Sequence, residues 1–253
     1  MEKSFLISAG DLTVFCKHNA PDFGDVRRIV LSVHGLGGST NDDIQTGLAE
    51  ELEFFSSAVF RFDFPGHGES PLDELTLAGC MNSLLAVARC ARDSYPQVED
   101  LCIFASGFGA YVTLLCLRDL LEMPGKVKLV VQTPSLRMDN TLLAMTGLTR
   151  ETLRALDRYT TPWPRPLVIT YRFYQELHSH NALETYPIPM LILHGEEDAF
   201  IPMTDIQNFH RINERSQLAI IPGTSHRFLE EGAWDMVLDL TRDWFEFEQV
   251  LLL

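Results

Sequence analysis

The chain has 253 residues, 46% of them hydrophobic and 22% charged, a composition typical of a globular protein with a large core rather than a disordered chain. Its formal net charge of −15 argues against nucleic acid and membranes as partners, because affinity for phosphate groups is built from Lys and Arg. The five cysteines lack metal-ligand spacing, and no leader pattern or apolar run of about 20 residues occurs, so we expect reduced thiols, no metal and a cytoplasmic protein.

The first predicted element is a β-hairpin. SFLIS (4–8) and LTVFCK (12–17) are β-like runs on either side of the turn residues Ala9, Gly10 and Asp11. Six further runs are short and almost entirely apolar, as strands covered on both faces are. These predicted strands are RIVLSV (28–33), AVFRF (58–62), LCIFAS (101–106), VKLVVQ (127–132), PMLILH (189–194) and QLAII (217–221).

Helix-like segments alternate with these strands. The predicted helices span residues 41–53, 73–94, 108–121, 204–213 and 230–249. This alternation predicts an α/β fold with a mostly parallel central sheet flanked by helices. Functional residues of such folds gather at the carboxyl ends of the strands.

One interval breaks the alternation. Residues 134–187 hold helix-like pieces separated by TTPWPRP, whose three prolines forbid a continuous helix. We therefore expect a core formed by residues 1–133 and 188–253, with 134–187 inserted as a helical cap or lid over the working edge of the sheet.

Small residues and polar groups follow five of the predicted strands. The motifs, in chain order, are VHGLGG (33–38), DFPGHGES (63–70), FASGFGA (104–110), HGEEDAFIP (194–202) and PGTSHRF (222–228). The first can bring backbone N–H groups close to a bound oxygen, and the third is a sharp strand-to-helix turn of the kind that presents a catalytic side chain.

The third motif carries an unexpected residue. In the small-x-Ser-x-Gly-small pattern of such a turn, Gly107 occupies the nucleophile position. Taking Ser106 as the nucleophile would put Phe104 and Phe108 where strand and helix approach closely and small side chains are needed. Sterics therefore favour Gly107.

These motifs, in this order, resemble the α/β-hydrolase superfamily over essentially the whole chain. The short GHGES turn, the insertion and the GTSHRF ending are similar to cinnamoyl or feruloyl esterases and monoacylglycerol-lipase-like hydrolases. The resemblance implies that Asp198 orients His226 as general base, and that the Leu36 and Phe108 amides form an oxyanion hole. It also implies hydrolysis of small acyl or aryl esters through an acyl-enzyme, with no cofactor and with Gly107 in the nucleophile position.

The insertion and the remaining histidines are less specific. Trp163, Tyr171 and Tyr174 are candidate substrate-binding residues, although each could equally belong to the core of the cap. We expect His34, His67 and His194 to be structural, holding turns or packing in the core.

Glycine at position 107 removes the hydroxyl that would carry the acyl group. Loss of a triad nucleophile leaves about 10³- to 10⁴-fold acceleration over water. The chain is therefore either an inactivated variant of a serine enzyme or a natural loss of the nucleophile, and near inactivity is expected of it. The competing interpretations are a silent pseudoenzyme that binds a small acyl or aromatic ligand under its cap, and a catalyst whose His226 activates water directly. The sequence leaves a homodimer open.

Overall fold

The fold is a twisted sheet with helices on both faces. The computed structural model describes residues 2–22, 24–71 and 74–250. Its strands are β1 (Glu2–Ala9), β2 (Leu12–Asn19), β3 (Arg28–Val33), β4 (Ser57–Phe62), β5 (Asp100–Ser106), β6 (Lys126–Gln132), β7 (Arg158–Thr160), β8 (Val168–Thr170), β9 (Met190–Gly195) and β10 (Ser216–Ile221). No helix in these ranges is both long and apolar enough to cross a lipid bilayer.

Eight strands form the main sheet, in the order β1-β2-β4-β3-β5-β6-β9-β10. The hairpin β1–β2 joins it antiparallel to β4, and the strands from β4 to β10 run parallel. β3, β4 and β9 are buried along their whole length, which explains their nearly unbroken apolar sequences. The predicted α/β class with a mostly parallel sheet is confirmed.

The helices are α1 (Asp43–Phe54), α2 (Leu77–Ser94), α3 (Phe108–Leu115), α4 (Leu117–Leu121), α5 (Met138–Thr146), α6 (Arg150–Leu156), α7 (Tyr171–His178), α8 (Met203–Ile212) and α9 (Ala233–Phe247). α2 begins later than predicted because Thr76 caps it, its hydroxyl accepting the Gly79 N–H at 3.1 Å. The predicted start of that helix at residue 73 lies outside the described residues.

The predicted helix 108–121 is divided in two. Cys116, with φ −87° and ψ −2°, separates α3 from α4. The Cys116 N–H still donates to the Val112 carbonyl, and Leu120 N–H to the Cys116 carbonyl, each at 3.0 Å. The break is therefore a local distortion, and no proline or glycine marks it in the sequence.

Residues 134–187, predicted to be a helical insertion, contain more than helices. α5 ends at Gly147, which takes the left-handed conformation with φ 67°. β7 and β8 pair antiparallel on either side of the proline-rich segment, and α7 follows directly. This small sheet was not predicted.

Alternate side chains of each central strand face two different cores. Val30, Phe104 and Val130 pack with α1 and α9, whereas Leu31 and Ala105 pack with α2, α3 and the helices of the insertion. Strand side chains alternate between faces, so one short apolar run supplies both layers.

α3 leaves the end of β5 very close to β3. A Cβ built on Gly109 would lie 2.7 Å from the Val33 carbonyl oxygen and closer still to that of His34. Only glycine fits there, as the small-residue pattern of the turn predicts.

Replacing this glycine should therefore strain the junction. We expect Gly109→Ala to lower the free energy of unfolding by about 1–3 kcal/mol, because backbone atoms of β3 cannot move away cheaply. Urea denaturation followed by circular dichroism measures it.

Gly47→Ala is the matched control. Gly47 lies inside α1, and a Cβ there would meet only Leu238, at 3.8 Å. Alanine should leave the stability unchanged or raise it by up to about 1 kcal/mol. Equal effects at both positions would contradict the close-approach argument.

Candidate active site

The candidate site lies at one edge of the sheet. Parallel strands end at the same edge, so the segments after β3, β4, β5, β9 and β10 converge there. Two of these segments are named here: the 34–38 loop, which follows β3, and the 63–70 turn, which follows β4.

The turn after β5 is sharp and falls on Gly107. Its φ of 50° and ψ of −110° form a backbone conformation that is strained for any residue with a side chain. Its N–H donates to the Gln132 carbonyl at 2.9 Å, and its carbonyl accepts the Tyr111 N–H at 3.1 Å. A Cβ built there would meet only the Gly35 Cα, at 4.0 Å, so the position has room for a serine side chain.

The neighbouring hydroxyl points elsewhere. Ser106 Oγ donates to Gln132 Oε1 at 2.8 Å, next to the backbone bond that joins Gly107 to Gln132. This geometry engages Ser106 with β6 instead of with an imidazole.

The structure brings Asp198 and His226 together. His226 Nδ1 lies 2.8 Å from Asp198 Oδ2, and since a carboxylate only accepts, Nδ1 donates the hydrogen of this bond; in the neutral ring the lone pair is then on Nε2. The Asp198 side chain is fully buried, whereas the His226 side chain is 16% exposed. Phe200 lies edge-on to the imidazole at 5.3 Å.

Asp198 is held as a carboxylate. Burial alone would raise its pKa, but the hydrogen bond and charge of His226 and the amides of Ile201 and Phe200 outweigh it, and the pKa lies below its usual value. The two amides donate to Oδ1 at 3.0 and 2.8 Å. An anchored carboxylate fixes the imidazole and stabilises its protonated form.

Two backbone N–H groups are available near the turn. In the 34–38 loop, Gly37 donates to His67 Nε2 at 3.1 Å and Gly38 donates to the Gly35 carbonyl at 3.0 Å. Leu36 N–H has no acceptor among the residues that the structure describes, and neither has Phe108 N–H, which opens α3. Amides of this kind can bind an oxyanion.

The aromatic residues of the insertion separate into two groups. Trp163 lies against the 34–38 loop, where a Cβ on Gly37 would be 2.9 Å from its ring. Tyr171 and Tyr174 instead stack on each other at 5.9 Å, and Tyr174 stacks on His178 at the same distance.

Phe173, on α7, is fully buried and packs in the core beneath the turn. Its ring meets the Phe108 ring edge-on at 6.0 Å. The sequence holds no signal for this contact beyond the aromatic character of the segment.

His34 and His67 are buried where the two loops meet. Burial lowers the pKa of His34 to about 4 and that of His67 to about 3. The hydrogen bonds of both rings go to the two loops, so the structural role expected from the sequence agrees with their contacts.

The similarities of the chain to known proteins point to one fold. A family model described as the alpha/beta hydrolase family matches residues 30–240. Est1E from Butyrivibrio proteoclasticus, with ferulic acid bound, is 19% identical with a TM-score of 0.81, covering 97% of this chain and 98% of its own. Among curated protein sequences, none matches this chain.

Two further solved structures share the fold. Mouse alpha/beta hydrolase domain-containing protein 10 is 17% identical, with a TM-score of 0.77 over 98% of this chain and 100% of its own. The dienelactone hydrolase of Anabaena variabilis is 19% identical, with a TM-score of 0.67 over 97% of each chain.

The buried histidines predict a loss of stability in acid. Their pKa values are lower in the folded protein than the usual value of about 6.5, so the unfolded chain binds more protons. The contribution of the two neutral histidines to the free energy of unfolding should be fully present above about pH 6.5. It should be lost as the pH decreases towards about 4. The urea midpoint measured at each pH tests this.

His67→Gln is the control for this titration. Glutamine does not titrate, so the variant should lose less stability than the parent between about pH 6.5 and 4. A difference between the two proteins that does not change with pH would contradict the assignment.

Proposed function

The chain belongs to the alpha/beta hydrolase family, and on that premise we propose that it is a carboxylic-ester hydrolase scaffold whose nucleophile position is occupied by Gly107. With serine at this position, the site is expected to work through an acyl-enzyme. With glycine, it is expected to be nearly inactive. The 2.8 Å contact between Asp198 and His226 carries the proposal, because it orients an imidazole that can act as a base on segments that follow the carboxyl ends of the parallel strands β9 and β10.

Acylation would begin at the serine hydroxyl. Its Oγ attacks the ester carbonyl carbon while His226 Nε2 takes its proton, and the carbonyl oxygen becomes an oxyanion. The N–H groups of Leu36 and Phe108 stabilise that charge, and Asp198 stabilises the imidazolium. The imidazolium then gives the proton to the alcohol oxygen as its bond to carbon breaks.

Deacylation repeats these steps with water. His226 takes a proton from the water as its oxygen attacks the acyl carbon, and returns the proton to the serine oxygen as the acid leaves. The products are one alcohol and one carboxylic acid, and the enzyme returns to its starting state.

The proposed substrates are small acyl or aryl esters. The ring of Trp163, which is only partly buried, lies against the loop that carries Leu36 N–H. Its face suits a flat apolar group. The similarity to Est1E, whose structure holds ferulic acid, supports an aromatic acid as one such group.

A second candidate function is ligand binding without turnover. Gly107 itself favours it, since the Leu36 and Phe108 amides and the Asp198–His226 pair remain while the acyl carrier is missing. A pseudoenzyme of this kind would hold a small acyl or aromatic ligand unchanged.

Restoring serine should create an esterase. We expect Gly107→Ser to raise kcat/KM on p-nitrophenyl esters and aryl-acid esters by roughly three orders of magnitude. The strained φ should lower the free energy of unfolding by about 1–3 kcal/mol. Steady-state kinetics and urea denaturation measure the two effects.

Gly107→Ala is the matched control, since it adds the same strain without a hydroxyl, and it should show no gain. In the Gly107→Ser protein, His226→Ala should abolish the gain and Ser106→Ala should preserve it. A folded Gly107→Ser protein as slow as Gly107→Ala on every ester would overturn the proposal, and tight binding of an unreacted ester would favour the second candidate.

The contribution of Trp163 to substrate binding can be tested in the Gly107→Ser protein. Trp163→Leu should raise KM for aryl esters about two- to tenfold with a smaller change for acetyl esters, because ring contacts are worth about 0.5–1.5 kcal/mol. An equal effect on both ester classes would argue against this role. Tyr171→Leu and Tyr174→Leu test whether their stack also contacts the substrate.

A further inference from the structure

Two histidines join the 34–38 loop to the 63–70 turn in a reciprocal arrangement. His34, in the loop, accepts the Phe64 N–H from the turn with its Nε2 at 3.1 Å. His67, in the turn, accepts the Gly37 N–H from the loop with its Nε2, also at 3.1 Å. Each loop therefore supplies one imidazole and one amide, and the ring centroids are 5.1 Å apart.

The partners determine the protonation of both rings. Nδ1 of His34 lies 2.7 Å from the Gly35 carbonyl, and Nδ1 of His67 lies 3.0 Å from the Pro65 carbonyl. A carbonyl only accepts, so each Nδ1 carries a proton, and an amide only donates, so each Nε2 must be unprotonated. Both rings are neutral, and all four ring nitrogens have a backbone partner.

These four hydrogen bonds also exclude a metal site at His34 and His67. An imidazole binds a metal through a lone pair, and the lone pairs of both rings already accept amide hydrogens. The titratable and charged groups around the pair are Asp63, Asp42 and Arg165. Asp63 is itself occupied, accepting the Thr40 N–H at 2.6 Å and the Glu69 N–H at 2.9 Å.

The hydrogen bonds of the two histidines fix the orientation of two consecutive peptide planes in the 34–38 loop. The Gly35 carbonyl accepts His34 Nδ1–H and, at 3.0 Å, the Gly38 N–H. The Leu36 N–H belongs to the same planar trans peptide, so it must point the opposite way from that carbonyl. The next peptide carries the Gly37 N–H, which His67 holds.

The hydrogen bond from Gly37 N–H to His67 is needed because Gly37 is conformationally free. Its φ is 77°, and glycine passes readily between conformations that other residues avoid. Without an acceptor for its N–H, the peptide could rotate and change the direction of its neighbour.

We propose that His34 and His67 form a histidine clasp that orients the Leu36 N–H, and that His67 is a positioning residue for the oxyanion hole. The clasp stands on its hydrogen bonds, while its catalytic purpose rests on the proposed function. His67 never contacts the substrate in this account. It acts through the Gly37 amide.

Nuclear magnetic resonance of the unaltered chain tests the clasp directly. The ¹⁵N shifts of both imidazoles should report the neutral Nδ1–H tautomer at pH 7, and the Gly37 amide should exchange slowly with solvent. In His67→Phe, which keeps a ring but has no acceptor, Gly37 exchange should accelerate at least about tenfold. Averaged or Nε2–H tautomers, or unchanged exchange in His67→Phe, would overturn the clasp.

Kinetics in the Gly107→Ser background test the positioning role. His67→Phe should lower kcat on a p-nitrophenyl ester by about ten- to 100-fold with KM changed less than about twofold, because the donor is misoriented where charge develops. His67→Gln, whose Oε1 can replace Nε2 as acceptor, should recover most of kcat. Loss of kcat equally in both variants, or a change in KM alone, would contradict the role.

The two experiments separate the two proposals. An inactive Gly107→Ser protein whose Nδ1–H tautomers and Gly37 protection are intact would overturn the proposed function and the catalytic purpose of the clasp, and would support the clasp itself. If His67→Phe does not fold, the tautomers of the unaltered chain still decide the clasp, and His67→Leu, which also lacks an acceptor, replaces His67→Phe in the exchange and kinetic experiments.

Discussion

The junction between β5 and α3 constrains everything at the candidate site. The chain must pass from a buried strand into a helix within one residue, which it does at Gly107 with a φ of 50°. The helix can begin there only because Gly109 allows its backbone to approach the carbonyls of Val33 and His34. That approach brings the N–H of Phe108, which has no acceptor within the described part of the chain, close to the loop that carries the Leu36 N–H.

The remaining groups are held by elements that do not depend on a side chain at position 107. Asp198 is anchored by two amides and holds His226, and the two histidines of the clasp hold the 34–38 loop. The contacts that hold these groups therefore do not depend on which side chain position 107 carries. Under the proposed function, serine at 107 would add a hydroxyl to this arrangement without requiring any of these contacts to change.

Much of the fold and part of the candidate site could be predicted from the sequence. The strand 28–33 is predicted with its observed limits because both of its faces are buried, and the order of the motifs predicts that Asp198 and His226 meet. The break at Cys116 carries no proline or glycine signal in the sequence. The prolines of TTPWPRP exclude a continuous helix, but they do not predict that the segments on either side of them pair as β7 and β8. The clasp was also invisible, since its bonds cross between loops that are adjacent only in the folded sheet.

The proposed function requires that the oxygen that accepts the acyl group belong to the side chain of residue 107. Labelling Gly107→Ser with a fluorophosphonate, followed by peptide mass spectrometry, tests it most directly. The account predicts one phosphonyl adduct, on Ser at position 107, which disappears when His226 is replaced by alanine. An adduct on Ser106, or no adduct on a folded protein, would contradict it.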